Sequence, residues 1–375
     1  MMTEATNTTV QRADDPRLRI SVIVPVHDRS QDLKTCLSAI LRQTRGWDDV
    51  EVLICDDGSS DDLLQTISGV MATGDGPVRY LRQAHQGAGM ARNLGIALAK
   101  GEILAFTDSD CEPAEDWLTE LVRPFDDPSV GLVGGPIDYR GGKYISGRCM
   151  NFLMSSTLGA AGARNPRAVV HMQYYPRGGN LAVRTNLARQ VGGFPATAHG
   201  EDLEFGWKVL GLGVRVAFVP TARVVHHEKR TVFQAFWEAA HKGAARVRLA
   251  KRHGMHEVVH ALPAILWFYA IVAGILWAAR VELAMLASLP GCLYLLALVM
   301  LAFQGAICLK SPAAGLLVPV YGLAMHLGYG AGYLVEWFKA FCRTGAEPVV
   351  PTHRGVGGKQ RPDPGEGCCS ARRWR

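Results

Sequence analysis

Two carboxylates one residue apart, Asp108 and Asp110, close the stretch ILAFTDSDCE at 103–112. So close together they repel, and neither is buried cheaply without a counter-charge. A divalent cation carrying a phosphate supplies one. Hard oxygen ligands suit Mg2+ or Mn2+, which take one or two carboxylates and leave the remaining positions to phosphate and water. Taken alone, the pair reads equally well as a solvated Asp-rich turn. Other parts of the chain carry the same signature. The apolar run RISVIVPV at 19–26 stops on His27 and Asp28, and VEVLIC at 50–55 stops on Asp56 and Asp57.

Positioning these acids is the task of the surrounding elements. Continuous β-branched runs such as 19–26 mark strands buried on both faces. Further strands are predicted at 78–81, 103–106, 130–135, 181–183 and 214–219, and helices at 32–42, 61–70, 86–99, 117–125 and 203–210. This alternation predicts a doubly wound parallel sheet, in which ligands sit beyond the carboxyl ends of the strands. The acids at 28, 56–57 and 108–110 then converge on one crevice. Gly87 and Gly89 open a helix where backbone could approach a phosphate, or form a plain turn. Glu201 and Asp202 open helix 203–210, where acids also serve as ordinary helix caps. His226 and His227 follow the last strand.

The 375 residues suffice for one large domain and an appendage. Nine scattered cysteines show no metal-ligand spacing, and Cys368-Cys369 is their one close pair, so a reduced compartment without structural disulfide or zinc is expected. The first 19 residues lack an apolar segment, which predicts no signal peptide and a cytoplasmic N-terminal domain. The net charge of +6 is concentrated at 242–252 and 343–375, without a nucleic-acid-binding module, so nucleic acid is not an expected partner. Three charge-free stretches, 261–279, 283–309 and 313–335, are each near or above the length of a membrane span. Three crossings would leave the basic tail opposite the N-terminal domain, against the positive-inside rule. Either one stretch is re-entrant or interfacial, or the tail crosses despite its charge. The third, with Pro319, His326 and several glycines, is the weakest span.

The motif order resembles the family 2 glycosyltransferases of the GT-A fold. The matching pieces are VIVPVHDR at 22–29, DDGSSDD at 56–62, ARNLGIALAKGE at 91–102, TDSD at 107–110, GGN at 178–180, GGF at 192–194, GED at 200–202 and PTARVVHH at 220–227. The resemblance covers roughly 20–230. It implies an α/β, Rossmann-like nucleotide-diphospho-sugar transferase domain at 19–230. Around it are expected a flexible tail at 1–18, an amphipathic interfacial region at 231–256, transmembrane helices within 257–338 and a basic, disordered tail at 339–375.

The same resemblance assigns roles. Asp57 holds the nucleotide base, with Pro25 and Asp28 beside the same pocket. Arg92 lies near the nucleotide and its phosphates. Asp108 is the ribose or metal-side acid, Asp110 the direct metal ligand, and His226 joins the metal, with His227 as fallback. Gly179 and Asn180 line the donor sugar or acceptor, Glu201 helps position the site, and Asp202 is the general base. The implied cofactor is Mg2+ or Mn2+. The implied donor is a UDP-, GDP- or dTDP-linked hexose or N-acetylhexosamine, and the acceptor is lipid-linked or another glycan at the membrane. The expected location is the inner (plasma) membrane, with membrane lipids as partners. Segment 234–254, QAFWEAAHKGAARVRLAKRHG, lacks the Gln/Arg-x-x-Arg-Trp motif of processive members, which favours transfer of a single sugar. The alternatives are a processive polysaccharide synthase and an inactive nucleotide-sugar-binding membrane protein.

Overall fold

The computed structural model describes residues 8–9, 19–72, 76–138, 145–156, 173–197, 199–227, 231–255, 258–279 and 284–342. The expectations for the two tails fall almost wholly outside them. Of the N-terminal residues, Thr8–Thr9 (β1) pairs antiparallel with Val78–Arg82 (β4).

An eight-stranded sheet forms the centre, in the order β1-β4-β3-β2-β5-β9-β7-β10. Ile20–Val26 (β2) lies between Val50–Asp56 (β3) and Ile103–Phe106 (β5), parallel to both. All seven residues of β2 are buried. Val22, Val24 and Val26 pack with Leu33, Leu37 and Trp117 on one face, while Ile23 packs with Ile96, Phe194 and Phe205 on the other. Burial on both faces is why these strands read as unbroken apolar runs rather than alternating ones. The carboxyl ends of β2, β3 and β5 lie along one edge, with Val26 opposite Asp56 and Ile23 opposite Phe106.

The sheet departs from the all-parallel expectation at β1, on its edge, and at one inner strand. Leu181–Arg184 (β9) runs antiparallel to β5 and to Val130–Gly134 (β7), whereas Arg215–Phe218 (β10) is parallel to β7. The register sets Leu181 opposite Phe106. An antiparallel strand brings its start, not its end, to the carboxyl edge, so Gly178-Gly179-Asn180 reaches residues 107–110. A second, three-stranded sheet was not anticipated: Cys111–Pro113 (β6), Val224–His226 (β11) and Ile137–Asp138 (β8), with β11 central. Its antiparallel register places His226 opposite Cys111.

Beyond the sheets, helix Val232–His253 begins with a capping box: Thr231 Oγ1 accepts from Gln234 N–H, and Gln234 Oε1 accepts from Thr231 N–H. It ends at Gly254, whose φ of 67° is the left-handed stop. Helices Leu262–Ala278, Leu289–Cys308 and Pro312–Cys342 follow; all three are long and apolar enough to cross a membrane. The third packs closely on helix Val232–His253. A Cβ added to Gly332 would meet the Ala240 carbonyl at 1.9 Å, and one on Gly328 the Phe236 carbonyl at 2.1 Å. Small residues four apart permit this backbone approach. Gly332→Leu is therefore expected to destabilise the detergent-solubilised protein by about 1–3 kcal/mol, the usual cost of overpacking, seen as a lowered thermal midpoint.

Candidate active site

Each acid singled out in the sequence sits on the carboxyl edge, and most already have a cation. Arg92, on helix Ala88–Leu98, is buried and bridges two of them: Nη2 donates to Asp108 Oδ1 at 2.6 Å and Nη1 to Glu201 Oε1 at 3.4 Å. Its guanidinium also lies 5.3 Å from the Phe194 ring centre. Burial works against its charge, and the carboxylates of Asp108 and Glu201 outweigh that, so its pKa is held above the ordinary arginine value. A side chain on Gly178 would strike the guanidinium, with Cβ 2.7 Å from Nη2, and one on Gly179 would lie 2.9 Å from Asp108 Oδ2. The Gly-Gly pair thus makes room for this ion pair. Removing the cation leaves two carboxylates without it, so Arg92→Met is expected to cost about 3–5 kcal/mol, measurable by denaturant unfolding.

Asp110 is held from two sides. The Arg29 guanidinium pairs with its Oδ2, and His226 Nε2 lies 3.3 Å from its Oδ1. The strand pairing explains the second contact, because β11 runs back along β6 and His227 N–H donates to the Asp110 carbonyl at 3.1 Å. The candidate donor atoms of Asp110, Cys111 and His226 all lie within 4.8 Å of one another. A carboxylate suits Mn2+ or Mg2+, and a neutral imidazole beside it fits the softer Mn2+ better than Mg2+. The Cys111 thiol does not: burial, followed by Asp108 and Asp110, pushes its pKa well above the usual thiol value, so it stays protonated. Arg29 shows that this spot attracts a cation. His227 turns instead to Glu112, 3.0 Å away.

Asp57 is buried and saturated. It accepts from Gln83 Nε2 at 2.7 Å, Gln86 N–H at 2.9 Å and Gly87 N–H at 2.7 Å, with His85 Nδ1 at 3.0 Å, and so fixes the loop leading into helix Ala88–Leu98. Its neighbour Asp56 is consumed within the fold by Tyr80 and Ser59. Asp28 is strained, with φ of 50°, and accepts from Ser60 N–H at 2.6 Å and Ser60 Oγ at 2.9 Å; these bonds lower its pKa. Pro25 is buried within β2 and offers no polar side chain.

Helix Glu201–Leu210 begins at Gly200, whose φ is 84°. Asp202 Oδ1 accepts from Leu203 N–H at 2.8 Å, and Arg177 Nη1 lies 3.6 Å from Oδ2. Glu201 has a raised pKa because burial disfavours its charge and Asp202 repels it, against the pull of Arg92. A carboxyl whose folded pKa is raised binds its proton more tightly when folded. Its contribution is favourable below the unfolded value near 4.5 and is lost as pH rises through the folded value. Glu201→Gln is thus expected to raise the thermal midpoint at neutral pH relative to wild type, with that gain disappearing in acid.

Two features run against sequence expectation. Asn180 does not reach the crevice: it is fully buried, accepting from Trp117 Nε1 at 2.9 Å and donating to the Ala222 and Pro136 carbonyls at 2.8 and 3.0 Å. It pins the two sheets together beneath the site. Conversely, Arg29 and Arg177 stand on the acids, and neither was singled out as a site residue. An arginine in a polar turn is common, and the one available signal was the position of Arg29 at the end of a matched motif.

Comparison with known proteins bears on the family and the fold. The model of Glycosyl transferase family 2 matches residues 21–178, and that of Glycosyl transferase family group 2 matches residues 103–308. Glycosyltransferase AglE of Haloferax volcanii is 31% identical over 208 residues, covering 51% of this chain and 66% of that one. The pre-mycofactocin glycosyltransferase of Mycobacterium tuberculosis is 30% identical over 280 residues, covering 72% of this chain and 55% of that one. The chain thus spans between about half and two thirds of these relatives' lengths. Among solved structures, mannosyltransferase PcManGT from Pyrobaculum calidifontis, in complex with GDP-Man and Mn2+, superposes with a TM-score of 0.59 at 22% identity over 86% of this chain and 89% of that one, a shared GT-A fold. With more than half its length matched by the family group model, the chain belongs to the family 2 glycosyltransferases.

Proposed function

We propose that the protein is a metal-dependent, inverting glycosyltransferase that moves one sugar from a nucleoside diphosphate sugar to a lipid-linked or membrane-proximal acceptor in cell-envelope glycan or glycolipid synthesis. The observation that carries this reading is the Arg92 bridge. It joins Asp108, at the end of β5, to Glu201, at the start of the helix that bears Asp202. Donor-side acids and a candidate base are thereby held on one edge.

In this reading Asp110 and His226 would hold Mg2+ or Mn2+, which when bound would offset charge building on the departing diphosphate. Arg29 then exchanges Asp110 for the diphosphate, and Asp108 faces the ribose or metal. Asp57 keeps the 83–87 loop closed around the base, and Gly179 lies under the donor sugar. Asp202 takes the proton from the acceptor hydroxyl as that oxygen attacks the anomeric carbon from the face opposite the diphosphate. One carboxylate suffices, since the diphosphate leaves without a proton, unlike the paired acids of glycoside hydrolysis. Asn180 acts through the fold and touches no ligand. The apolar helices support a site beside a membrane, and we assign it to the cytoplasmic face of the inner membrane, where nucleotide sugars are available.

The test is a panel of UDP-, GDP- and dTDP-sugars with Mn2+, Mg2+ or chelator, with and without a polyprenyl phosphate, using the full chain. Metal-dependent release of one nucleoside diphosphate, stimulated by the lipid, is expected. Donor binding without turnover on any lipid or sugar acceptor would point to an inactive binding protein.

A further inference from the structure

Helix Val232–His253 stands between the candidate base and the apolar helices. His241, Ala245, Leu249 and His253 recur every fourth residue along it and so share one face. Successive turns of this stripe meet the segment that carries Asp202. The His241 ring stacks on His199, with centres 4.6 Å apart. A Cβ added to Gly200 would lie 3.3 Å from Ala245 and 3.4 Å from Leu249. The His253 ring lies 4.4 Å from that of Trp207. The opposite face, with Phe236, Ala240 and Gly243, is occupied by helix Pro312–Cys342, where a Cβ on Gly243 would meet the Tyr329 carbonyl at 2.1 Å.

Glu204 closes this contact. It sits two residues after Asp202 on helix Glu201–Leu210 and is 3% exposed. A carboxylate buried so deeply needs cations. It takes two of them from the last turn of helix Val232–His253: Arg252 Nη1 donates to Oε2 at 3.2 Å, and His253 Nε2 lies 2.9 Å from Oε1. Lys208, one turn along its own helix, is 3.7 Å away. Phe205 and Val209 seat the same helix on the apolar core beside Phe194. Apolar burial is non-directional, so it sets the depth of the helix and leaves its rotation to the polar contacts. Asp202 accepts from its neighbour Leu203 N–H and faces the exposed Arg177, so its direction follows that of its own helical turn.

We infer that Glu204 is a positioning residue for sugar transfer: clamped by Arg252 and His253, it holds helix Glu201–Leu210 at the rotation that aims Asp202 at the acceptor hydroxyl. This rests on the base role proposed for Asp202. Buried between the two helices, Glu204 acts through Asp202 and not on the sugar. The clamp gives helix Val232–His253 a part in the chemistry, because a reacting group misplaced by about 1 Å can cost about 10²-fold in rate.

Glu204→Gln in the full chain keeps the size of the side chain and removes the charge that Arg252 and His253 clamp. With the donor and acceptor that the panel above identifies, kcat is expected to fall about 10- to 100-fold, while the donor KM and the Mn2+ affinity stay within a few-fold of wild type. The deciding measurement repeats the substitution in an Asp202→Asn background, with residual transfer read in single turnovers of radiolabelled donor. There the rate should fall no further, whereas a residue that merely supports the fold would lower it by the same factor in both backgrounds. Arg252→Gln combined with His253→Gln breaks the clamp from the other helix, and carries the same pair of measurements if Glu204→Gln does not fold. An unchanged kcat, a donor KM that rises in step with the loss, or an equal loss in both backgrounds overturns the inference. Full transfer by Asp202→Asn alone would instead strike the base role, and the positioning role with it.

Discussion

Asp202→Asn is expected to lower the rate of sugar transfer by roughly 10²- to 10⁴-fold, the range contributed by a positioned general base, while nucleotide-sugar binding stays within a few-fold of wild type. The split follows from where Asp202 sits. It occupies the first turn of helix Glu201–Leu210, accepts one bond from Leu203 N–H and has Arg177 on its other oxygen. None of the residues assigned to the donor has Asp202 as its main partner: Arg92 pairs with Asp108 and Glu201, Asp57 with the 83–87 loop, and Asp110 with Arg29 and His226. Asparagine keeps the size of the side chain and its ability to accept from Leu203 N–H, and loses the basicity together with the charge that faces Arg177. Turnover measured alongside donor affinity by calorimetry checks this. Equal turnover would remove Asp202 from the base role, whereas a matching loss of donor affinity would make it a binding residue.

Asp110→Asn is expected to weaken Mn2+ binding by more than the ~10–100-fold that follows loss of a merely supporting group, and to slow transfer with it. Asp110 is in contact with both His226 and Arg29. Without its charge, the anionic ligand beside the imidazole is lost, and the Arg29 guanidinium keeps Asp32 alone of its two carboxylate partners. Electron paramagnetic resonance of free Mn2+ reads the affinity directly, apart from any activity. His226→Ala is the companion variant: it removes a neutral ligand and leaves the charge, so its loss should be smaller. Unchanged Mn2+ affinity in Asp110→Asn would contradict the assignment of the metal to this pair.

Part of the candidate site was legible because it follows apolar runs: Asp28, Asp57, Asp108 and Asp110 come just after β2, β3 and β5, so strand order alone puts them on one edge. Arg92, Glu201, Asp202 and His226 were reached only through the family resemblance. The direction of β9 was not legible. Its four residues bury the same side chains whether it runs parallel or antiparallel, and only its pairing with both β5 and β7 fixes the sense. The roles of Arg29 and Asn180 were hidden for a related reason. Side-chain type records what a residue can bond, not which of several neighbours it meets: Arg29 finds Asp110 81 positions away, and Asn180 finds Trp117 63 positions away. Helix Pro312–Cys342 shows the same limit at a larger scale. Its Gly328 and Gly332 announce a close helix contact, but the partner, helix Val232–His253, is set by the fold.

The most direct test of the proposed chemistry is the anomeric configuration of the transferred sugar, read by proton NMR on product formed by the full-length protein with its preferred donor. Attack by an acceptor activated by Asp202, on the face opposite the diphosphate, predicts inversion at the anomeric carbon. Retained configuration would contradict a single displacement with one carboxylate base, and with it the role given to Asp202.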